Sequence, residues 1–165
     1  MSYDDLETLS NDSDIVVAGA PISNACELAD QGRTIVTVYD VRVSESLKGN
    51  VPVGGVLRVA LPGGKYQFPE GVAEVQMSSL HRLLNDHRYV LYLQGARGSP
   101  SFSPSGLGQG IFEISSGGNV RSFATPGLNR KLYARTNGVE VDSFLATARE
   151  TARRSKPRVE HPHSQ

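Results

Sequence analysis

Between residues 38 and 44 the chain alternates with a period of two. Tyr39, Val41 and Val43 are apolar, and Asp40, Arg42 and Ser44 between them are polar. Successive side chains of a strand point to opposite faces, so this segment predicts a strand with one buried and one wet side. The strand reading extends over 34–47 and stops at Lys48-Gly49-Asn50. That is longer than the usual strand, and in a small domain such a strand bends to serve two sheet regions. The same alternation recurs over 56–61, where Leu57, Val59 and Leu61 oppose Arg58, and over 72–77 around Glu74 and Gln76. Two runs are strongly apolar, 15–20, which predicts a buried strand, and 89–94, which predicts another strand. Pro21 marks an edge or bulge after the first of them. Segments 111–114 and 120–124 flank Ser116-Gly117-Gly118-Asn119 and predict a hairpin.

The remaining segments read differently. Residues 24–32 are polar and predict a hairpin loop, 62–69 a turn and loop, 78–84 one helical turn, and 95–108, rich in Gly, Ser and Pro, a surface loop. Val141, Phe144, Leu145 and Ala148 fall at i, i+3, i+4 and i+7, the spacing of one helix face. Glu140 and Asp142 lie at the start of that helix, and Arg149, Arg153 and Arg154 near its end, an order that complements the helix dipole. Ser2-Tyr3-Asp4-Asp5 resembles a capping box and predicts a short helix over about residues 3–10. The expected architecture is mainly β: a small OB-like barrel or curled antiparallel sheet, with a short N-terminal helix and a C-terminal amphipathic helix. One β-rich domain is expected over 1–154, its barrel over about 13–124 and its helix over about 139–154. A disordered tail is expected over 155–165.

Composition narrows the function classes. Hydrophobic residues make up 38% and charged residues 21% of 165, a globular rather than disordered balance. Lys+Arg and Asp+Glu are equal at 17 each, which gives no general attraction to nucleic acid or anionic membranes. The charge is nevertheless segregated. Residues 1–30 carry Asp4, Asp5, Glu7, Asp12, Asp14, Glu27 and Asp30 without a Lys or Arg, whereas 149–158 are predominantly basic. Solvated ends explain this, and the sharper alternative is a basic tail that docks on an acidic partner. No apolar run approaches the roughly 18 residues a membrane helix needs. The acidic N-terminus lacks the pattern of a signal peptide. Cys26 is the only cysteine, which excludes an intrachain disulfide and a thiolate metal cage.

Four stretches carry a family resemblance. They are Ser13-Asp14-Ile15-Val16-Val17-Ala18-Gly19, the segment 34–49, Leu61-Pro62-Gly63-Gly64 and Arg88-Tyr89-Val90-Leu91-Tyr92-Leu93. Gln109-Gly110-Ile111-Phe112-Glu113-Ile114 also fits. Their order resembles a group of uncharacterised bacterial extracytoplasmic domains, distantly similar to the OB-type barrels of netrin-like and metalloproteinase-inhibitor-like modules. The resemblance implies a barrel and a periplasmic or extracellular location. Metalloproteinase inhibitors chelate zinc through an N-terminal cysteine and are held by several disulfides. This chain has Cys26 alone, in a predicted loop, so that mechanism does not carry over.

No catalytic motif is recognisable. Gly106-Leu107-Gly108-Gln109-Gly110 precedes a strand rather than a helix and is no dinucleotide fingerprint. His81 and His87 lie six residues apart, which is not the spacing of two ligands on one helix face; with Asp86 and Glu74 they make a site only through a fold contact. His161-Pro162-His163 is a weak chelator whose ordering entropy opposes binding. No cofactor is expected. The loop Pro62-Gly63-Gly64-Lys65-Tyr66-Gln67-Phe68-Pro69 places two aromatics beside a cation, a combination suited to a peptide, a glycan or a stacked base. The bland alternative is that Tyr66 or Phe68 plugs the barrel. Arg97 and Phe102 sit in a second loop that covers the same end in this reading. The candidate ligand-binding residues are therefore Lys65, Tyr66, Phe68, Arg97 and Phe102. The expectation is a non-catalytic binding module for a protein or an envelope polymer. The alternatives are a single-stranded nucleic-acid-binding OB-type domain, which the neutral charge disfavours, and an enzyme built on His81, His87, Asp86 and Glu74.

Overall fold

The computed structural model describes residues 2–75 and 82–158. It is mainly β, as expected, with helices near both ends. Helix α1 (Leu6–Asn11) is followed by β1 (Ile15–Ala29), β2 (Thr34–Lys48), β3 (Val56–Pro62), β4 (Gly64–Phe68), β5 (Gly71–Val75), β6 (Arg88–Gly95) and β7 (Phe102–Pro104). A 3-10 turn (Leu107–Gly110) leads into β8 (Ile111–Ile114) and β9 (Val120–Ser122), and α2 (Pro126–Thr136) and α3 (Val141–Arg154) complete the described chain.

Seven strands form one sheet in the order β1-β2-β3-β7-β6-β8-β9, and an additional β1–β6 pairing curls it into a ring. The ring closes unevenly. β1 and β6 share a five-residue register from Ile15↔Leu93 to Gly19↔Tyr89, but β3 and β7 meet in parallel at a single pair, Val59↔Phe102. The strongly apolar runs now have a cause. Ile15 and Val17 of β1, with Tyr89, Leu91 and Leu93 of β6, face the interior of the ring, among Tyr39, Val41, Val43, Val59 and Leu61. Val16 and Ala18, with Val90 and Tyr92, face the opposite way. There they pack under the helices, against Leu9, Leu132, Phe144, Leu145 and Ala148. Strands covered on both sides lose their alternation. The helix face read over 141–148 is buried as predicted, with Phe144, Leu145 and Ala148 all in this second cluster.

Several expectations are corrected. Residues 24–29 belong to β1 and pair regularly with 34–39 of β2, so the loop shrinks to the turn 30–33. Their polarity reflects exposure: beyond Gly19 the strand leaves β6 and no longer covers the core. A register shift between Pro21 and Ser23 marks the departure, the bulge that Pro21 suggested. The loop 62–69 contains β4, and 95–108 contains β7 and the 3-10 turn. Helix α1 starts later than expected because Asp5, not Ser2, is its cap. The Asp5 carboxylate accepts from the Thr8 amide at 2.9 Å and the Thr8 hydroxyl side answers the Asp5 amide. That amide holds the Asp5 carboxyl below its ordinary value. The strand end at 76–77, His81 and His161-Pro162-His163 lie outside the described residues, and the turn expected over 78–84 lies there in part.

Part of the segregated charge is paired within the chain. Lys131 lies 3.5 Å from Asp4, Arg135 3.9 Å from Asp5, and Arg158 3.0 Å from Asp14. Arg149 grips Glu45 with two nitrogens, at 2.6 and 2.9 Å, and lowers the Glu45 pKa. Residues 155–158, expected as the start of a loose tail, are tied down. Lys48 Nζ donates to the carbonyls of Ser10 and Lys156, and Arg158 Nη2 donates to the Gly95 carbonyl at 3.0 Å.

Burial is the main cause that raises the pKa of four tyrosines, Tyr3, Tyr39, Tyr89 and Tyr92, above the ordinary value of 10.0. The unfolded chain ionises near that value while the folded protein still holds its protons. Stability is therefore complete below about pH 10 and falls as pH rises through the folded values. Urea midpoints are expected to be level from pH 7 to 9 and to drop clearly by about pH 11; a flat profile through that range refutes the assignment. Tyr92 adds a second expectation. Its hydroxyl is fully buried with no hydrogen-bond partner among the described residues. Tyr92→Phe removes that desolvation penalty and is expected to raise the unfolding free energy by about 1 kcal/mol. A loss of stability in the same titration would show that the hydroxyl is satisfied.

Candidate functional site

β4 and β5 form a separate two-stranded sheet, inserted between β3 and β6 and standing over β1 and β2. The approach is close at Gly64. A Cβ there would lie 2.7 Å from Cys26 Sγ and 2.7 Å from Thr37 Oγ1, and the residue has φ of +134°. Glycine is the residue that fits this contact and tolerates this backbone. Thr37 fastens the same corner by donating to the Gly63 carbonyl at 2.9 Å.

Beneath the hairpin lies an open cleft of about 430 Å³, within the range of ligand-binding pockets. Asn24 and Cys26 of β1, Thr37 and Tyr39 of β2, Lys65 of β4, Glu74 of β5 and the segment 82–85 line it. Lys65 Nζ stands 3.8 Å from Glu74 across the hairpin. Burial raises the pKa of the Tyr39 hydroxyl, and the positive charge of Arg82 nearby opposes that rise. Among the described residues Arg82 has no carboxylate partner.

The segment 82–85 is fixed by two tyrosines of the ring. The Tyr39 hydroxyl is hydrogen-bonded by the Leu83 backbone, and the Tyr89 hydroxyl accepts from the Leu84 amide at 2.8 Å. Leu83 is 3% exposed and belongs to the interior cluster, so it fills the ring beneath the cleft. This is the role considered for Tyr66 or Phe68. Neither aromatic belongs to a core cluster. Both are half-buried and tilt against each other, ring centroids 4.8 Å apart.

The five residues singled out from the sequence are not brought together. Strand alternation puts Tyr66 and Phe68 on one face of the hairpin and Lys65 on the other. Lys65 alone reaches the cleft. Phe102 pairs with Gly95 and packs partly buried against the interior cluster, and Arg97 sits in an exposed connection between β6 and β7. The reading missed Asn24, Cys26, Arg82 and Asn85, because strand continuity over 24–29 and the return of 82–85 across the ring leave no periodic trace.

Of the histidine constellation, the described members His87 and Glu74 stand in different surroundings. His87 Nδ1 is 2.9 Å from Glu113, which also lies 3.6 Å from Arg121, whereas Glu74 lies in the cleft. Among the described residues no three His, Cys, Asp or Glu side chains gather as a metal site would require. No helix there is long and apolar enough to cross a membrane. No family model matches the sequence, and no curated protein is significantly similar to it.

Proposed function

We propose that the protein is a non-catalytic binding module that seats a segment of a partner protein or an envelope polymer in the cleft under the β4–β5 hairpin. The cleft carries the proposal. It is concave, and its exposed cations and amides (Lys65, Arg82, Asn24 and Asn85) are additional to the apolar interior that holds the ring together. Polar groups converging on a rigid β scaffold are the usual makings of a recognition site. The ring of β1, β2, β3, β7 and β6 supports the OB-type, netrin-like reading, because OB barrels are five-stranded, partly open Greek-key rings that take ligands on strand faces and connecting loops.

Peptide and bacterial-polysaccharide arrays, probed with the wild-type protein and with the double variant Lys65→Ala/Arg82→Ala, test this reading. Binding by the wild type that the folded double variant loses supports it. Binding indifferent to the variant moves the site elsewhere. Retention of single-stranded DNA with a steep salt dependence would favour the nucleic-acid alternative.

A further inference from the structure

The cleft has an unusual wall. β1 pairs with β6 only as far as Gly19, and the Asp86 amide makes one more bond, to the Pro21 carbonyl at 3.2 Å. From Ser23 to Ala29 the strand continues paired with β2 on one side. Among the described residues nothing pairs with its other edge. The stretch 24–29 runs in regular register, with no proline and no further register shift. Proline, bulges and short length, which blunt many free edges, stop where this edge begins, and its one charged side chain, Glu27, is engaged by Arg58 at 2.8 Å. Asn24 and Cys26, on this same strand, line the cleft together with Arg82, which has no carboxylate partner among the described residues.

We propose that this edge of β1 receives an extended acidic peptide as an added strand, with one carboxylate side chain held by the Arg82 guanidinium. The inference rests on the binding-module reading and names its ligand. A free edge supplies backbone donors and acceptors in the spacing of a strand, which gives affinity without sequence preference. Specificity comes from side chains at every second position. A guanidinium binds a carboxylate through two parallel N–H···O bonds, and it selects Glu or Asp over the isosteric amide. Lys65 and Glu74, 3.8 Å apart, largely offset each other's charge, so the carboxylate preference is assigned to Arg82.

The test is NMR titration of the full chain with an N-acetylated, C-amidated octapeptide alternating valine and glutamate. Two companion peptides accompany it: one with glutamine at every glutamate, one N-methylated at alternate residues. The glutamate peptide is expected to shift the amides of 23–29 and slow their hydrogen exchange. The glutamine and N-methylated peptides are expected to bind at least about tenfold more weakly, the loss of a charge-assisted or strand-pairing contribution. Arg82→Gln is expected to weaken the glutamate peptide to the level of the glutamine peptide and to leave the latter unchanged. Equal binding of the glutamate and glutamine peptides in the cleft overturns the carboxylate assignment and leaves the binding module standing. Equal binding of the N-methylated peptide overturns strand addition. No shift at 23–29 up to millimolar glutamate peptide overturns the inference as a whole, whereas the binding-module reading falls only if the arrays show no cleft-dependent ligand.

Discussion

Asn129→Ala is expected to lower the unfolding free energy by about 3 kcal/mol, a large effect for one polar side chain. Asn129 is 6% exposed and interrupts α2 with a non-helical backbone, φ −155° and ψ 95°. Its Oδ1 accepts from the Leu132 amide at 3.0 Å, so it works as the N-cap of the second half of the helix. Its Nδ2 donates to the Tyr3 carbonyl at 2.7 Å and to Gln109 Oε1 at 2.8 Å, with Ser2 Oγ at 3.2 Å. Gln109 in turn accepts from the Tyr3 amide at 3.2 Å. One amide thus ties the N-terminal segment, the 3-10 turn and α2. Losing the cap costs about 1 kcal/mol, and each buried group left without a partner costs about 1–3 kcal/mol more, with incomplete additivity. Asn129→Asp keeps the capping oxygen but sets a carboxylate against the Tyr3 carbonyl and Gln109 Oε1, and is expected to destabilise further. Urea unfolding of both variants decides the matter. A change within about 0.5 kcal/mol, the range of ordinary surface substitutions, would show that the network carries no weight.

Helix α2 shows where sequence patterning stops. It begins at Pro126-Gly127, is broken at Asn129, and buries Leu132 as its main apolar contact. A helix held by one leucine and a hydrogen-bond network has no apolar stripe to detect. The opposite case is α3, whose stripe was plain because it packs along its whole length on the outer face of the ring. Among the strands, those over the core were legible from period two or from continuous apolarity. Residues 24–29 and 64–68 were not. They lie beyond the core, where an exposed or only half-buried setting lets Ser23, Asn24, Lys65 and Gln67 stand in strands. The candidate site draws on both of these segments, together with Thr37 and Tyr39 of β2, Glu74 of β5 and the stretch 82–85. Lys65 was found because it stands beside two aromatics, a local signal. Arg82 and Asn24 meet Lys65 only through the fold.

Leu83→Ala is expected to cost about 2–4 kcal/mol and, unlike a substitution deep in β6, to weaken the cleft with it. The side chain sits in the interior cluster with Tyr39, Leu61, Tyr89 and Phe123, at the end of the ring beneath the β4–β5 hairpin. Truncation leaves a cavity there, and the cost depends on how far the neighbours close over it. The surrounding backbone is held by the two tyrosine hydroxyls, which bond at Leu83 and Leu84, with the Asp86 amide on the Pro21 carbonyl just beyond them. Without the leucine anchor, those bonds alone must hold the wall that carries Arg82 and Asn85. The double variant Tyr39→Phe/Tyr89→Phe removes the bonds and keeps the anchor, so the two contributions separate. Leu83→Ala is expected to show a clear drop in urea midpoint and faster exchange of the amides at 82–85, and the tyrosine variant faster exchange with a smaller drop. If Leu83→Ala leaves both quantities unchanged, the leucine does not close the ring, and the cleft has no fixed floor on which to recognise a ligand.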